Sequence, residues 1–592
     1  MIAALLLLIL SALLCLLLGV SARTAWLAQV AAIVGTGMAL VLSVALQGLE
    51  GSGGKVEWPP MLSWLGASPF ASDGLSGGLG AWCLLLGMLC LLKIGSGENA
   101  PLRLSVAMLA IATLYALVHT VNLLAFGVMV FALALLTWGY FVVSGEQDAR
   151  TDRSTLSLGL GSLFLIVAAL LIGRQTGGNY DLGDLSLSTL TVWPLVLFAA
   201  YTIAWLGLVP LTGWSALVPS GGFRTLLHSL VLAVPIVTLV LRLQSLVTVE
   251  AIGATIPANW GAFMQALGWL GCITSVVSAA AMLVWAGKSR WPALQATFWL
   301  GLALWALSLD TPLARYSGVV IVLAYGAGRV ALELLPPGND RFTSFLRIFA
   351  NASLAGVPVT PGFVGVWLFA HALAEEVRPA LALIVLGAVV LAACGTVLHT
   401  GNRGEALAGD AMSSRYAGWA GVLSGSLLVV AMLLIPLWSP YVEGVTTVAG
   451  GVPRLEDSWV GVSSGGGTLA VTLLVAGAIL LAGLGWLVAT SARAGSGVSG
   501  VLLPTALERL DKRRNDAESG QGDPDISPLL ENSPAPVWWA SMAWLDRGVW
   551  GFGSVLARLT SRFGRLLGRL EGRFYLPLAL ILTLAALLAV TR

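Results

Sequence analysis

Gly207-Leu208-Val209-Pro210-Leu211-Thr212-Gly213 interrupts a long apolar segment, and about 150 residues further on Gly356-Val357-Pro358-Val359-Thr360-Pro361-Gly362 interrupts another. Glycine loosens a helix and proline removes an N–H from it. In hydrocarbon the freed backbone groups must be satisfied by protein or along a wet cavity, so broken apolar helices mark transporter interiors. The separation leaves room for five spans, an odd number, which inverts the second copy relative to the first. Two inverted repeats follow from that reading; taken singly, the same stretches also read as ordinary interhelical turns.

The rest of the chain supplies the spans. Of 592 residues, 57% are hydrophobic and only 10% charged, and a mean hydropathy of +0.90 excludes water as the main solvent. A crossing takes about 20 apolar residues. Such stretches fall at 2–21, 25–47, 77–95, 101–118, 120–143, 155–173, 188–211, 223–245, 262–286, 290–309, 312–335, 343–373, 378–399, 417–438, 466–490 and 573–591. The expected fold is an all-α polytopic membrane protein of about 16 transmembrane helices. Its blocks are N-terminal spans (1–118), a first repeat region (119–245), a second (262–399), further spans (400–490), a polar linker (491–536), an amphipathic helix (537–573) and a final span (574–592). Met1 to Val20 lacks a basic leader and a small-residue cleavage site, so it reads as the first span rather than a signal peptide. Cys15, Cys83, Cys90, Cys272 and Cys394 all fall in apolar segments without metal or cluster spacing. With no glycine-rich phosphate loop after a strand, neither cofactor nor metal nor nucleic-acid partner is expected, and any redox chemistry belongs to a neighbour.

Lys and Arg set the orientation. With the N-terminus outside, inside connections receive Arg23, Lys93, Arg103, Arg150, Arg153, Arg224, Lys288, Arg290, Arg341, Arg347, Arg403 and Arg415, against Lys55, Arg174, Arg242, Arg315, Arg378 and Arg454 outside. Both termini outside, in a bacterial inner membrane, is the favoured topology. Within 537–573, Arg558, Arg562, Arg565, Arg569 and Arg573 recur at three- and four-residue steps opposite Trp544, Val549, Phe552, Leu559 and Phe563, a basic stripe on a helix that lies in the interface and grips lipid or a neighbouring subunit.

Charged side chains at membrane depth cost about 2.5–3.5 kcal/mol each and are functional candidates by default. His228 lies just inside span eight after Arg224. Arg329 and Glu333 stand one turn apart in span eleven, either as path members or as a self-neutralising pair. His371 and His399 read as interfacial, His119 as a wet residue at the junction of spans four and five, and Arg224 and Arg290 as fixed charges. Spans five, seven and thirteen carry no lysine or carboxylate.

Taken in order, these residues resemble a family. Asp73-Gly74-Leu75-Ser76 opening span three, then Val209-Pro210-Leu211, Trp214, Leu226-Leu227-His228 and Arg242, then Leu300-Gly301, Tyr325 to Leu332, and Leu354-Ala355-Gly356-Val357-Pro358 with Gly362-Phe363 are similar in order and spacing to the antiporter-like subunits of respiratory complex I, Mrp antiporters and membrane-bound hydrogenases. Leu570-Glu571-Gly572-Arg573-Phe574-Tyr575 resembles the lateral-helix extension of the distal subunit. The likeness spans roughly residues 1–440 plus the tail. It implies two inverted five-helix repeats, each with a half-channel built on a glutamate and lysines.

The chain departs from that pattern at decisive places. The resemblance puts the span-five glutamate on Phe131, the span-seven lysine on Trp205 and a later lysine on Val366, none of which exchanges a proton. His228 is retained, and Arg329 stands where the family has lysine; a guanidinium hardly deprotonates and acts as a fixed charge. The resemblance therefore implies a membrane-arm subunit of a complex-I-type or hydrogenase-type assembly, non-catalytic itself, that helps translocate protons or braces the arm. Its partners would be the bilayer and other membrane subunits. The alternatives are a non-conducting structural paralogue and a secondary cation/proton transporter subunit.

Overall fold

A backbone in hydrocarbon satisfies its own N–H and C=O groups most simply as helix, and helix dominates the computed structural model. It describes residues 1–18, 25–49, 55–56, 70–94, 99–145, 149–183, 185, 190–208, 222–250, 258–284, 291–335, 341–357, 360–375, 378–402 and 445–446. The expected spans beyond residue 402, the linker, the amphipathic helix with Arg558, Arg562, Arg565 and Arg569, and the fixed-charge candidate Arg290 lie outside these residues.

In chain order the helices are α1 (Ile2–Leu18), α2 (Ala25–Leu49), α3 (Gly74–Ile94), α4 (Ala100–His119), α5 (Leu123–Ser144), α6 (Ala149–Gln175), α7 (Val192–Leu206), α8 (Gly222–Leu226), a π turn (Leu227–Val231), α9 (Ala233–Glu250), α10 (Ala258–Val284), α11 (Trp291–Ser308), α12 (Pro312–Leu334), α13 (Arg341–Leu354), α14 (Pro361–Glu375) and α15 (Pro379–Asn402). Eight helical stretches among the described residues are long and apolar enough to cross a membrane, and the chain is an integral membrane protein. The expected single span at 343–373 is two short helices, α13 and α14, because the chain turns between Leu354 and Pro361.

The continuous stretch from α8 through α9 forms the centre. All of its apolar window is buried, as is 89% of that of α12, whereas α2 buries only 33% and presents Val30, Val34, Met38 and Val41 outward, as a lipid-facing helix must. Small residues permit close crossings. A Cβ added at Gly271 of α10 would lie 2.6 Å from the Gly301 carbonyl of α11, so no larger residue fits between the two backbones.

α7 and α13 end alike. Gly207 and Gly356 both take left-handed backbone, with φ of 62° and 67°. In each case the next N–H reaches back to a carbonyl of the last turn, Leu208 to Ile203 at 3.1 Å and Val357 to Ala352 at 2.9 Å, which is the glycine-dependent helix stop.

At the Asp73 end the connections are knitted together. Two-residue strands β1 (Lys55–Val56) and β2 (Phe70–Ala71) pair antiparallel, Phe70 bridges Thr120, and Asn122 bridges Asp181. Here Asp73 caps α3: the Ser76 N–H donates to its Oδ1 at 2.8 Å, and the Asp73 N–H donates to Ser76 Oγ at 2.8 Å, the reciprocal pattern of a capping box. Arg242 of α9 grips both carboxylate oxygens and extends Nη2 to the Val118 carbonyl of α4 at 3.4 Å. One guanidinium thereby joins three helices. Burial alone raises the Asp73 carboxyl, but the Arg242 charge and the Ser76 donors outweigh it and hold the group below the ordinary carboxylate range.

The same packing corrects the reading of His119 as wet. It is 1% exposed, with Nδ1 2.8 Å from the Tyr115 carbonyl and its ring 4.6 Å from that of Tyr115. The junction it occupies is covered by the knitted connections rather than open to water.

Removing either partner of the clamp leaves the other's charge largely buried without its counter-charge. Asp73→Asn or Arg242→Met is expected to cost roughly 3 kcal/mol, the low end for buried pairs because Asp73 keeps 23% of its side chain exposed. The double variant should lose less than the sum, measured by thermal unfolding of the detergent-purified protein; strict additivity would show that the pair does not act as a unit. The folded pKa of Asp73 is depressed, so its contribution is complete above the unfolded value near 3.9 and is lost as pH falls through the folded value. The acid loss of stability should be smaller in the double variant.

Candidate functional site

Proline places the site. Pro235 has no N–H to offer the carbonyl four residues earlier, and its ring crowds that carbonyl. Immediately upstream, residues 227–231 form a π turn, a form that accommodates such a defect and often marks functional sites. The carbonyl left without a helical donor belongs to Val231, and the indole N–H of Trp205, on α7, donates to it at 3.1 Å. Trp205 is wholly buried. The second broken region has a similar indole-to-carbonyl bond, here at a helix end. Leu354 is the last residue of α13, so its carbonyl has no helical donor, and the indole N–H of Trp299, on α11, donates to it at 3.0 Å.

His228 lies in the π turn at 0% exposure. Beside the turn, a Cβ at Gly326 of α12 would sit 3.5 Å from the Ser229 carbonyl and 3.6 Å from Trp82 Nε1, so α12 packs directly on it. One turn along α12 from Tyr325 stands Arg329, 9% exposed and within electrostatic reach of Tyr325. Counted from the helix ends at 1.5 Å per residue, Thr225, His228, Gln295, Tyr325 and Arg329 occupy one layer roughly 5–14 Å deep on the Lys93 side of the bundle.

Polar atoms in this layer lack protein partners. Gln295 is fully buried, and neither its Nε2 nor its Oε1 is hydrogen-bonded; Tyr325 Oη, Thr225 Oγ1 and Arg329 Nε are in the same state. Bare polar groups in an apolar interior cost about 1–3 kcal/mol apiece, and together they are a water-binding surface. Sequence reasoning passed over Gln295 because it looked for ionisable side chains. An amide at membrane depth was the available signal.

The remaining candidates fall elsewhere. Arg329 and Glu333 share a helix face but form no ion pair with each other. Glu333 lines a crevice with Lys93 and Thr225 and acts electrostatically on Arg347, at the outer edge of the layer. Arg224 is half-buried on α8, one turn from His228. Of the positions where the resemblance places lost relay groups, Val366 on α14 is wholly buried, Phe131 on α5 is half-buried, and Trp205 is the carbonyl donor above. Among the described residues no group of three or more His, Cys, Asp or Glu is arranged to hold a metal ion.

Comparison with known structures bears on this arrangement. The chain superposes on the Mrp complex from Dietzia sp. DQ12-45-1b with a TM-score of 0.67 at 17% identity, over 95% of this chain and 63% of that one. It matches the archaeal membrane-bound sulfane sulfur reductase with a TM-score of 0.63 at 16% identity, over 76% of this chain and 97% of the other. Respiratory complex I from Thermus thermophilus with bound NADH gives 0.58 at 19% identity, over 75% and 100%. The chain has the antiporter-like fold. That is the fold implied by the order of the Asp73, His228, Arg242 and Gly356 motifs, although the chain spans only 63% of the length of the Mrp chain. No family model and no curated protein sequence matches it.

Trp205→Phe keeps the ring and removes the donor. It is expected to destabilise the protein by about 1–3 kcal/mol, the cost of an unsatisfied buried carbonyl, seen as a lower thermal midpoint in detergent. A midpoint equal to wild type would mean that Val231 finds another donor.

Proposed function

We propose that the chain is an antiporter-like subunit within a multisubunit membrane complex, and that its part in proton movement runs through a hydrated centre at His228 and Arg329. One observation carries this reading: the unpartnered polar atoms of Gln295, Tyr325, Thr225 and Arg329 share a buried layer with His228. Water bound there supplies the hydrogen-bonded connections that side chains do not. His228 is the member of the layer whose class of side chain titrates near neutrality, so it takes the relay role, and Arg329 serves as a fixed charge that orders water. The matching ends of α7 and α13 support two repeats of inverted topology, with both termini outside a bacterial inner membrane. The solved relatives are assemblies of several membrane subunits, and a redox-driven or antiporter assembly is the setting that suits this chain.

A second reading, a non-conducting brace, is favoured by Trp205. A neutral indole tied to a backbone carbonyl occupies the position where the resemblance puts a titratable lysine, and it neither moves nor exchanges a proton at useful rates.

Proton flux into vesicles holding the purified complex separates the two. His228→Ala is expected to abolish flux if the first reading holds; undiminished flux in the variant removes His228 from the path, and absence of flux in the wild type leaves the brace. The basic stripe at 537–573 gives a further test. Arg558, Arg562 and Arg565 replaced by Glu are expected to reduce the yield of intact complex after mild extraction, and normal yield counts against a bracing tail.

A further inference from the structure

α10 overshoots its neighbour α11. Ser308, the last residue of α11, meets Gly268 of α10 so closely that a Cβ there would lie 2.6 Å from Ser308 Oγ. The first ten residues of α10, Ala258 to Leu267, therefore stand past the end of α11, an overhang of roughly 15 Å. Beyond that end, walled by the overhang, by α9 and by the start of α15, is a cavity of about 540 Å³, within the size range of small-molecule sites. Its lining includes Gln244, Trp260, Trp269, Trp305, Asp310 and Arg378. Trp269 lies deeper, near the middle of α10, and both it and Ile273, one turn further on, are half exposed. The cavity thus continues onto the lipid-facing side of that helix.

The polar groups narrow what fits. Gln244 is 2% exposed; its Nε2 donates to the Leu307 carbonyl at 2.5 Å, which leaves Oε1 as a buried acceptor without a donor. Asp310 is neutralised by Arg315, which donates to its Oδ1 at 2.5 Å, yet 73% of its side chain stays accessible to further donors. Arg378 already has a partner within the protein. An ionic ligand therefore finds no open counter-charge. A ligand that only accepts, such as an ether or a ketone, leaves Gln244 Oε1 bare, which carries the cost of an unsatisfied buried group. Both acceptors are answered by a neutral molecule with several hydroxyls, and the indoles of Trp260 and Trp305 call in addition for a flat apolar face. A sugar ring has both.

We propose that this cavity binds the neutral sugar headgroup of a glycolipid, with hydroxyls donating to Gln244 Oε1 and Asp310, a ring face against the indoles, and the tail leaving along Trp269 and Ile273. That apolar exit is what assigns the sugar to a lipid rather than to solution.

The test is equilibrium binding of radiolabelled dodecyl maltoside, below its micelle concentration, to the full chain within its native complex, held in an amphipathic polymer. Wild type is expected to bind it saturably, and at least about fivefold more tightly than a dodecyl polyethylene glycol ether, whose headgroup accepts hydrogen bonds but lacks the sugar hydroxyls. Gln244→Leu should weaken maltoside binding by about fivefold, the worth of one hydrogen bond. Gly261 also lines the cavity, and a Cβ there would meet nothing within 4 Å, so Gly261→Trp should fill the space and abolish saturable binding, with unfolding midpoints showing that the variants remain folded. Equal binding of the ether overturns the sugar assignment. Binding unchanged in Gly261→Trp places the maltoside elsewhere, and displacement by free maltose at the same concentration gives the site to a soluble sugar; either outcome overturns the proposal.

Discussion

A backbone carbonyl inside hydrocarbon must find a donor; Val231 loses its helical one to Pro235, and Leu354 loses its own to the end of α13. In water the loss is minor, because solvent replaces the N–H. Within a bundle the replacement has to be built, and here it is built the same way twice, by the indole N–H of a tryptophan on a neighbouring helix. Tryptophan suits both places because it donates without accepting, carries no charge and brings a large apolar ring that fills the space a helix irregularity opens. The two bonds set where α7 meets the π turn and where α11 meets the end of α13, and so fix the surroundings of His228 and of Gly356.

The Asp73–Arg242 clamp solves a different difficulty. Antiparallel helices packed through alanine, glycine and leucine have little to define their vertical register, since lipid and protein interiors are similarly apolar and small residues slide against one another. A charge-assisted, two-point contact is directional where those contacts are not. By joining the start of α3, the Val118 carbonyl of α4 and the middle of α9, it sets the depth of α9, and with it the π turn and His228, relative to α3 and α4.

Much of this was legible in the sequence, and the unreadable part has a common cause. Spans follow from apolar length, and the helix stops at Gly207 and Gly356 from the residue itself. The Asp73 motif and Arg242 were each recognisable, yet nothing in a string shows that residues 169 positions apart share one bond. Pro235 and the helix stop at Gly356 identify the carbonyls that lose their donors, whereas the donors, Trp205 and Trp299, come from other helices and depend on packing. His119 misled because position at a junction suggests water, while the connections that cover it were invisible. Gln295 was missed because charge, rather than unsatisfied polarity, guided the search. Local chemistry reads from sequence, and pairing between helices does not.

The centre's chemistry turns on the guanidinium of Arg329. Glu333, one turn along the helix, forms no ion pair with it and acts electrostatically on Arg347. In the hydrated centre we propose, water carries the cost of burying the charge. A fixed charge also repels a proton in transit: at an effective dielectric of about 20, two unit charges roughly 10 Å apart repel by about 1.7 kcal/mol. A lysine in this place can shed its proton as another approaches; arginine cannot. The relay we propose through His228 therefore works against a constant barrier rather than an alternating one, because the charge at Arg329 stays in place.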